Sequence, residues 1–159
     1  MLNDAPFQDI DFGTLPDEVN DLLQAGVRAH RQDQDAADAL FRQALMHDPT
    51  ALPTYFCLYK IHTYSGRLPE ARRMAEAGLQ EAALQAGWSM DWQDWVPVPT
   101  PPTSPGRFAL YTLKALAFIS LREDNPKEAR ERIEGLRVLD PNGDVGWEVI
   151  AELLEGCAP

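Results

Sequence analysis

Apolar residues recur along this chain three and four positions apart, the spacing that one face of an α-helix presents. Three segments share one order of large and small residues: Leu22-x2-Ala25-Gly26-x2-Ala29, Tyr55-x2-Leu58-Tyr59-x2-His62 and Leu113-x2-Leu116-Ala117-x2-Ser120. Each precedes a second helical pattern, respectively Ala37-x3-Phe41-x2-Ala44, Ala71-x3-Ala75-x2-Gly78 and Ala129-x3-Ile133-x2-Leu136. A last segment, Trp147-x2-Ile150-Ala151-x2-Leu154, repeats the first pattern alone. The pattern predicts an all-α chain of helix pairs.

The pairs recur at a fixed period. Ala71 lies 34 residues after Ala37, and Trp147 lies 34 residues after Leu113. Ala129, however, lies 58 residues after Ala71, which is 24 more than the period. Helix pairs with this period resemble the tetratricopeptide repeat (TPR) family, and the stretch YFCLYKIHTYSGRLPEA is similar to small bacterial members. The resemblance implies a right-handed α-solenoid in which antiparallel helix pairs stack on one another.

The resemblance also implies a division of the chain. Residues 1–13 would form an extended N-terminal segment, and residues 14–159 one TPR-like domain. The expected parts of that domain are repeat 1 at about 17–49, repeat 2 at about 51–86, a Trp/Pro insertion at 87–106, repeat 3 at about 107–141 and a capping helix at 144–155. A terminal helix with a polar outer face is expected because the last apolar face of a repeat array needs a cover.

The composition narrows the classes of partner and compartment. A net charge of −11 and a pI of about 4.6 oppose general binding of nucleic acid or anionic membranes, which requires clustered Lys and Arg. The first residues lack the basic and apolar regions of a signal peptide, and no apolar run reaches the roughly 20 residues of a membrane span. Cys57 and Cys157 have no metal-binding spacing. We therefore expect a cytoplasmic protein with reduced thiols.

Catalytic and cofactor motifs are missing from the sequence. It contains no phosphate-binding loop, no dinucleotide-binding glycine pattern, no HExxH and no GxSxG. The stretch from Asp140 to Asp144 begins like a calcium-binding loop, but Val145 replaces the required Gly and Ala151 the required Glu. We therefore expect no enzyme activity, no cofactor and no metal.

The family resemblance places a peptide-binding groove on the first helix of each repeat. The implied groove positions are Leu23, Val27, Arg31, Phe56, Lys60, Tyr64, Tyr111, Lys114, Phe118 and Arg122. Four of the chain's fourteen Lys and Arg fall here, and none of its acidic residues does. A cleft of one charge sign focuses the electric field, and aromatic side chains supply interface anchors. The opposing interpretation is that the apolar residues are core and that the basic ones pair with acids on neighbouring helices.

These positions predict a non-catalytic protein–protein interaction module, acting as an adaptor, chaperone or assembly factor, whose partner carries acidic and apolar residues. The Lys, Arg and Asn clamp with which some family members grip a chaperone's C-terminal carboxylate is missing, because the corresponding positions include Leu23, Val27, Cys57 and Tyr111. A self-associating structural protein is the alternative, and it would use the insertion to form a homo-oligomer.

The insertion combines tryptophans with prolines. Trp88, Trp92 and Trp95 are spaced four and three residues apart, so a short helix capped by Ser89 would place the three rings on one face. The prolines that follow cannot continue a helix and favour an extended return. Three interpretations stay open: the rings pack at the seam between repeats 2 and 3, they fill the groove as an autoinhibitory segment, or they form an exposed recognition element.

Overall fold

The computed structural model describes residues 9–157, and within that range it is built of helices without any strand. The seven α-helices are α1 (Asp17–His30), α2 (Gln34–His47), α3 (Leu52–Tyr64), α4 (Leu68–Ala86), α5 (Pro105–Arg122), α6 (Pro126–Leu139) and α7 (Trp147–Glu155). One turn of 3-10 helix, Trp92–Asp94, lies between α4 and α5. The all-α prediction is confirmed for these residues.

Residues at the helix ends explain where several helices start and stop. The Asp33 carboxylate accepts hydrogen bonds from two backbone N–H groups in the first turn of α2, at 3.0 and 3.1 Å. At α6, Asn125 accepts from the Glu128 N–H at 3.2 Å and donates to the Glu128 carboxylate at 3.2 Å, a reciprocal cap. α4 ends at Gly87, whose φ of 76° is the left-handed conformation that glycine adopts without strain.

Each helix packs against the next one along the chain. In addition, the odd-numbered helices contact one another in order, α1 with α3, α3 with α5 and α5 with α7. The odd-numbered helices therefore lie side by side. Within the first helix pair, α1 and α2 approach closely at Gly26, because a Cβ there would overlap the Phe41 ring of α2.

Two clusters of buried side chains form the core. The N-terminal core joins α1, α2 and α3 around Leu23, Phe41 and Leu58. The C-terminal core is larger and joins α3 to α7 around residues such as Leu113 and Trp147. α3 contributes to both clusters. Apolar burial at about 25 cal/mol per Å² is the main stabilising term of such a fold.

An ionic network joins α4, the end of α5 and α6. The Arg72 guanidinium of α4 donates to the carboxylates of Glu123 and Glu128, at 2.5 and 2.9 Å. Arg132 contacts the other Glu128 oxygen at 2.8 Å, and the Ser120 hydroxyl donates to Glu128 at 3.1 Å. Because these groups are half-buried and mutually bonded, the network fixes the position of α4 against the following pair.

The insertion packs on the fold through its tryptophan rings. Trp95 is 9% exposed, its indole N–H donates to the Ser89 carbonyl at 2.7 Å, and its ring centre lies 5.0 Å from that of Trp88. Trp88 lies over Gly106 at the start of α5, where a Cβ would come within 2.8 Å of the ring. Trp92 lies over Gly135 of α6. The Trp88 and Trp92 rings thus cover parts of α5 and α6, the two helices that follow the insertion in the chain.

The backbone of this segment differs from the expected helix. Ser89 does not cap an α-helix; its hydroxyl accepts from the Asp91 N–H at 3.1 Å and donates to the Asp94 carboxylate at 3.2 Å. Asp91 caps the 3-10 turn instead, by accepting from the Gln93 N–H at 2.9 Å. The local Ser and Asp hydrogen bonds compete with helix formation and limit it to one turn.

Candidate functional site

Aromatic rings and two lysines meet between α3 and α5. The ring centres of Phe56 and Tyr111 lie 5.8 Å apart, and this contact joins α3 to α5. The Lys60 ammonium lies 5.1 Å from the Phe56 ring centre and 5.9 Å from that of Tyr64. The Lys114 ammonium lies 4.0 Å from the Tyr111 ring centre. We call these five residues the lysine–aromatic cluster.

The two lysines of the cluster carry charge that no carboxylate within residues 9–157 neutralises. Neither ammonium group forms an ion pair with a carboxylate anywhere in residues 9–157, whereas Arg42, Arg72 and Arg132 each have a carboxylate oxygen within 3.0 Å. Contact with aromatic faces stabilises a cation by about 0.5–2 kcal/mol without cancelling its charge. The cluster is therefore a positive site on a chain of net charge −11.

Burial and neighbouring charge shift the pKa values of two cluster residues. Partial burial, and then the neighbouring Lys60 charge, lower the pKa of Lys114. Burial and the proximity of Tyr64 raise the pKa of Tyr111. Two like charges held close together favour any bound group that carries a carboxylate, because it would relieve their repulsion.

A pocket of about 290 Å³ adjoins the cluster between α1 and α3. Phe56, Lys60 and Tyr64 form the wall that it shares with the cluster, and Val27 of α1 lies opposite. His30 also lines it, and its ring Nδ1 is buried without a hydrogen-bond partner in the described part of the chain. The volume lies at the lower end of ligand pockets, about 300 Å³, a size suited to side chains rather than to a large cofactor.

The remaining wall of the pocket comes from residues before α1. Ile10 and Phe12 line it. The buried Gln24 side chain of α1 accepts from the Ile10 N–H at 3.0 Å and donates to the Ile10 carbonyl at 2.6 Å. We call residues 9–13 the N-terminal strap. The sequence analysis did not predict the contact of Gln24 with the strap. Gln24 is a polar residue that is 4% exposed, directly after the fully buried Leu23.

The other predicted groove residues occupy different environments. Leu23 is fully buried and belongs to the N-terminal core, in the same cluster as Phe41, so it lies beneath the surface rather than on it. Arg31 is exposed at the end of α1. Phe118 and Arg122 form a separate pair near the end of α5, with the guanidinium 5.8 Å from the ring centre.

The described residues contain neither a metal-binding cluster nor a membrane-spanning helix. No group of three or more His, Cys, Asp or Glu side chains within 9–157 is arranged to hold a metal ion. None of the helices in that range combines the length and apolar character that a bilayer crossing requires. The turn from Asp140 to Val145 is closed internally, since the Asp140 carboxylate accepts the N–H groups of Asp144 and Val145 at 3.1 and 3.0 Å.

The lysine–aromatic cluster, the adjoining pocket and the strap thus form one continuous surface across α1, α3 and α5. Comparisons with family models, with curated proteins and with solved structures give no match for this chain.

Proposed function

We propose that this protein is a non-catalytic interaction module that binds an acidic, apolar segment of a partner protein along the odd-numbered helices. The proposal includes a right-handed TPR-like solenoid of three helix pairs with α7 as its cap. The 34-residue period supports this architecture, as do the contacts of α1 with α3, α3 with α5 and α5 with α7. In such an array, side-by-side first helices form a continuous concave surface.

One observation carries the proposal: Lys60 and Lys114 lie over aromatic rings of one cluster with no carboxylate partner within residues 9–157. On an acidic chain, surface arginines pair readily, as Arg42 does with Asp38 at 2.9 Å. Two lysines kept free of such pairs on one surface attract anionic groups from outside the chain.

The aromatic members of the cluster supply the apolar part of the recognition. Tyr64 is 70% exposed although it is large, and Phe56 and Tyr111 are only partly covered. Exposed aromatic residues beside a pocket are typical anchors of protein interfaces, where burying them contributes about 2 kcal/mol or more. A partner with a carboxylate next to a bulky apolar residue satisfies both features.

The position of the insertion bears on the autoinhibited alternative. Trp88 and Trp92 lie over glycines of α5 and α6, and Trp95 packs on Trp88. This packing supports an insertion that belongs to the fold, and it weighs against a groove filled by the tryptophans. Self-association retains some support, because Met90 and Val96 are 53% and 64% exposed on the insertion. A sedimentation mass that rises with concentration would favour it.

Charge reversal in the cluster tests the interaction proposal. A random peptide library selected on the immobilised protein provides the ligand, and the strongest peptide is labelled and titrated by fluorescence anisotropy. We expect acidic and aromatic residues to be enriched, and Lys60→Glu with Lys114→Glu to weaken binding by about tenfold or more. Lys127→Glu with Arg130→Glu on α6 is the matched control, since both residues are exposed and the change in net charge is the same.

Folding and charge effects must be separated in this experiment. Lys114 is half-buried, so Lys114→Gln alone serves as a milder variant that removes the charge and keeps a polar side chain. Far-UV circular dichroism and melting temperature report on the fold. Equal peptide affinity in the wild type and in the cluster double variant would rule out the groove model.

A further inference from the structure

The N-terminal strap is held against α1 by its main chain. The Gln24 amide accepts the Ile10 N–H at 3.0 Å and donates to the Ile10 carbonyl at 2.6 Å. In an extended chain the N–H and C=O of one residue point to the same side, so a single amide side chain can bind both. Hydrogen bonds of this kind bind the backbone of an extended segment and do not depend on its side chains.

Gln24 is positioned for this contact. The residue is 4% exposed, and its amide nitrogen also donates to the Asn20 side chain at 3.1 Å. A buried amide needs hydrogen-bond partners, and those of Gln24 come mainly from the strap. The α1 surface therefore presents a preformed donor and acceptor to an extended segment.

The side chains of the strap alternate between acidic and apolar, in the order Asp9, Ile10, Asp11, Phe12. Successive side chains of an extended segment point in opposite directions, and Ile10 and Phe12 both line the 290 Å³ pocket. Asp9 lies 3.5 Å from the Arg28 guanidinium. This combination of backbone bonds with pockets for alternate side chains is how proteins bind extended peptides.

The strap uses its binding surface incompletely. Ile10 remains 45% exposed, and the pocket beside it is still open. The Asp9–Arg28 pair has side-chain exposures of 67% and 50%, where solvent screens an ion pair strongly. A segment that leaves its pocket partly open and uses a solvent-screened ion pair can be replaced by one that fills the pocket better.

We propose that the cleft formed by Gln24, Arg28 and the pocket is a binding site for extended segments with alternating acidic and apolar residues. The chain's own N-terminal strap is its built-in occupant, and an outside segment of the same chemistry displaces it. The proposal does not depend on the charges of Lys60 and Lys114, so the two proposals can fail separately.

The probe is a fluorescein-labelled peptide with the sequence of residues 7–13, titrated into the full chain by anisotropy. A tethered segment competes at an effective concentration on the order of millimolar, so the wild type should bind the peptide weakly. Ile10→Asp removes the strap's own apolar side chain from the pocket and leaves Gln24, Arg28 and the pocket residues of the helices unchanged, so it should tighten peptide binding by about tenfold. Met46→Asp, at an 85% exposed position on α2, is the matched control and should behave as the wild type.

A second substitution in the cleft tests the receptor side. Adding Gln24→Ala to Ile10→Asp should abolish binding of the peptide, and adding the exposed Arg28→Glu should weaken it without affecting the fold. Equal affinities of the wild type, Ile10→Asp and Met46→Asp would overturn the proposal. Full binding by the variant that combines Ile10→Asp with Gln24→Ala and Arg28→Glu would overturn it as well.

Discussion

Gly135 of α6 lies beneath the Trp92 ring, and replacing it with alanine tests whether the insertion is docked. A Cβ at this position would overlap Cζ3 of the ring and lie 3.1 Å from its Cη2. The backbone at Gly135 is ordinary α-helix, so alanine introduces no backbone strain. In a helix without the ring, Gly→Ala stabilises by about 0.5–1 kcal/mol. The sign of the effect therefore depends on Trp92.

With the ring in place, the added methyl group forces the indole or α6 to move. Overpacking of this kind costs about 1–3 kcal/mol, which exceeds the gain in helix propensity. We expect Gly135→Ala to lower the free energy of unfolding by about 1–2 kcal/mol in the wild-type background. In a Trp92→Ala background the same substitution should raise it by about 0.5–1 kcal/mol.

Urea unfolding followed by far-UV circular dichroism measures all four proteins of this double-mutant cycle. Thermal melts give a second measure, because 1 kcal/mol corresponds to about 2–4 °C for a chain of this size. Stabilisation by Gly135→Ala in both backgrounds would show that the ring does not lie on α6. The packed position of the insertion would then be refuted.

Two further outcomes follow from burial and ion pairing. Partial burial opposes ionisation of Glu128, but hydrogen bonds from Arg72 and Arg132 outweigh it and lower its pKa from 4.5 to about 2. This stabilisation is complete above about pH 4.5 and is lost as the pH falls toward 2. Glu128→Gln should therefore lower the free energy of unfolding by about 1–3 kcal/mol at neutral pH and flatten the acid limb of a stability–pH curve. An unchanged acid limb would contradict this role of Glu128. Burial raises the pKa of Cys57 to about 12, whereas Cys157 is exposed. A thiol reagent should therefore modify Cys157 in the native protein and Cys57 only after denaturation. Equal rates of modification of the two cysteines in the native protein would contradict the burial of Cys57.

The helices were accessible to sequence reasoning because their signals are local. Apolar spacing is enough to predict an all-α chain, and Asn125 and Gly87 mark helix ends through bonds and conformations that depend on nearby residues. The tryptophan segment was predicted less well. Ser89 and Asp91 bond to the adjacent backbone and side chains, so one 3-10 turn replaces the expected α-helix.

The site required information that the sequence does not contain locally. The repeat spacing assigns Leu23 and Val27 to the same face of α1. It does not show that Leu23 is buried while Val27, one turn later, lines the pocket. Nor does it show that Phe56 meets Tyr111, since that contact joins helices separated by the insertion. The partner of Gln24 was equally hidden, because it lies fourteen residues earlier in a segment without apolar periodicity.

The presence of two cores gives α3 a role beyond packing. α3 places Leu58 in the N-terminal core and Tyr59 in the C-terminal core, and Phe56 packs against both. The smaller N-terminal core should open more readily than the larger one, by local unfolding of α1 and α2 with α3 left in place. A ligand that fills the pocket contacts Val27 of α1 and Phe41 of α2 as well as Phe56 of α3, so it binds the closed state better than the opened one. Binding would then be linked to the opening of α2, a helix outside the lysine–aromatic cluster, so amide exchange there would slow when the groove is filled.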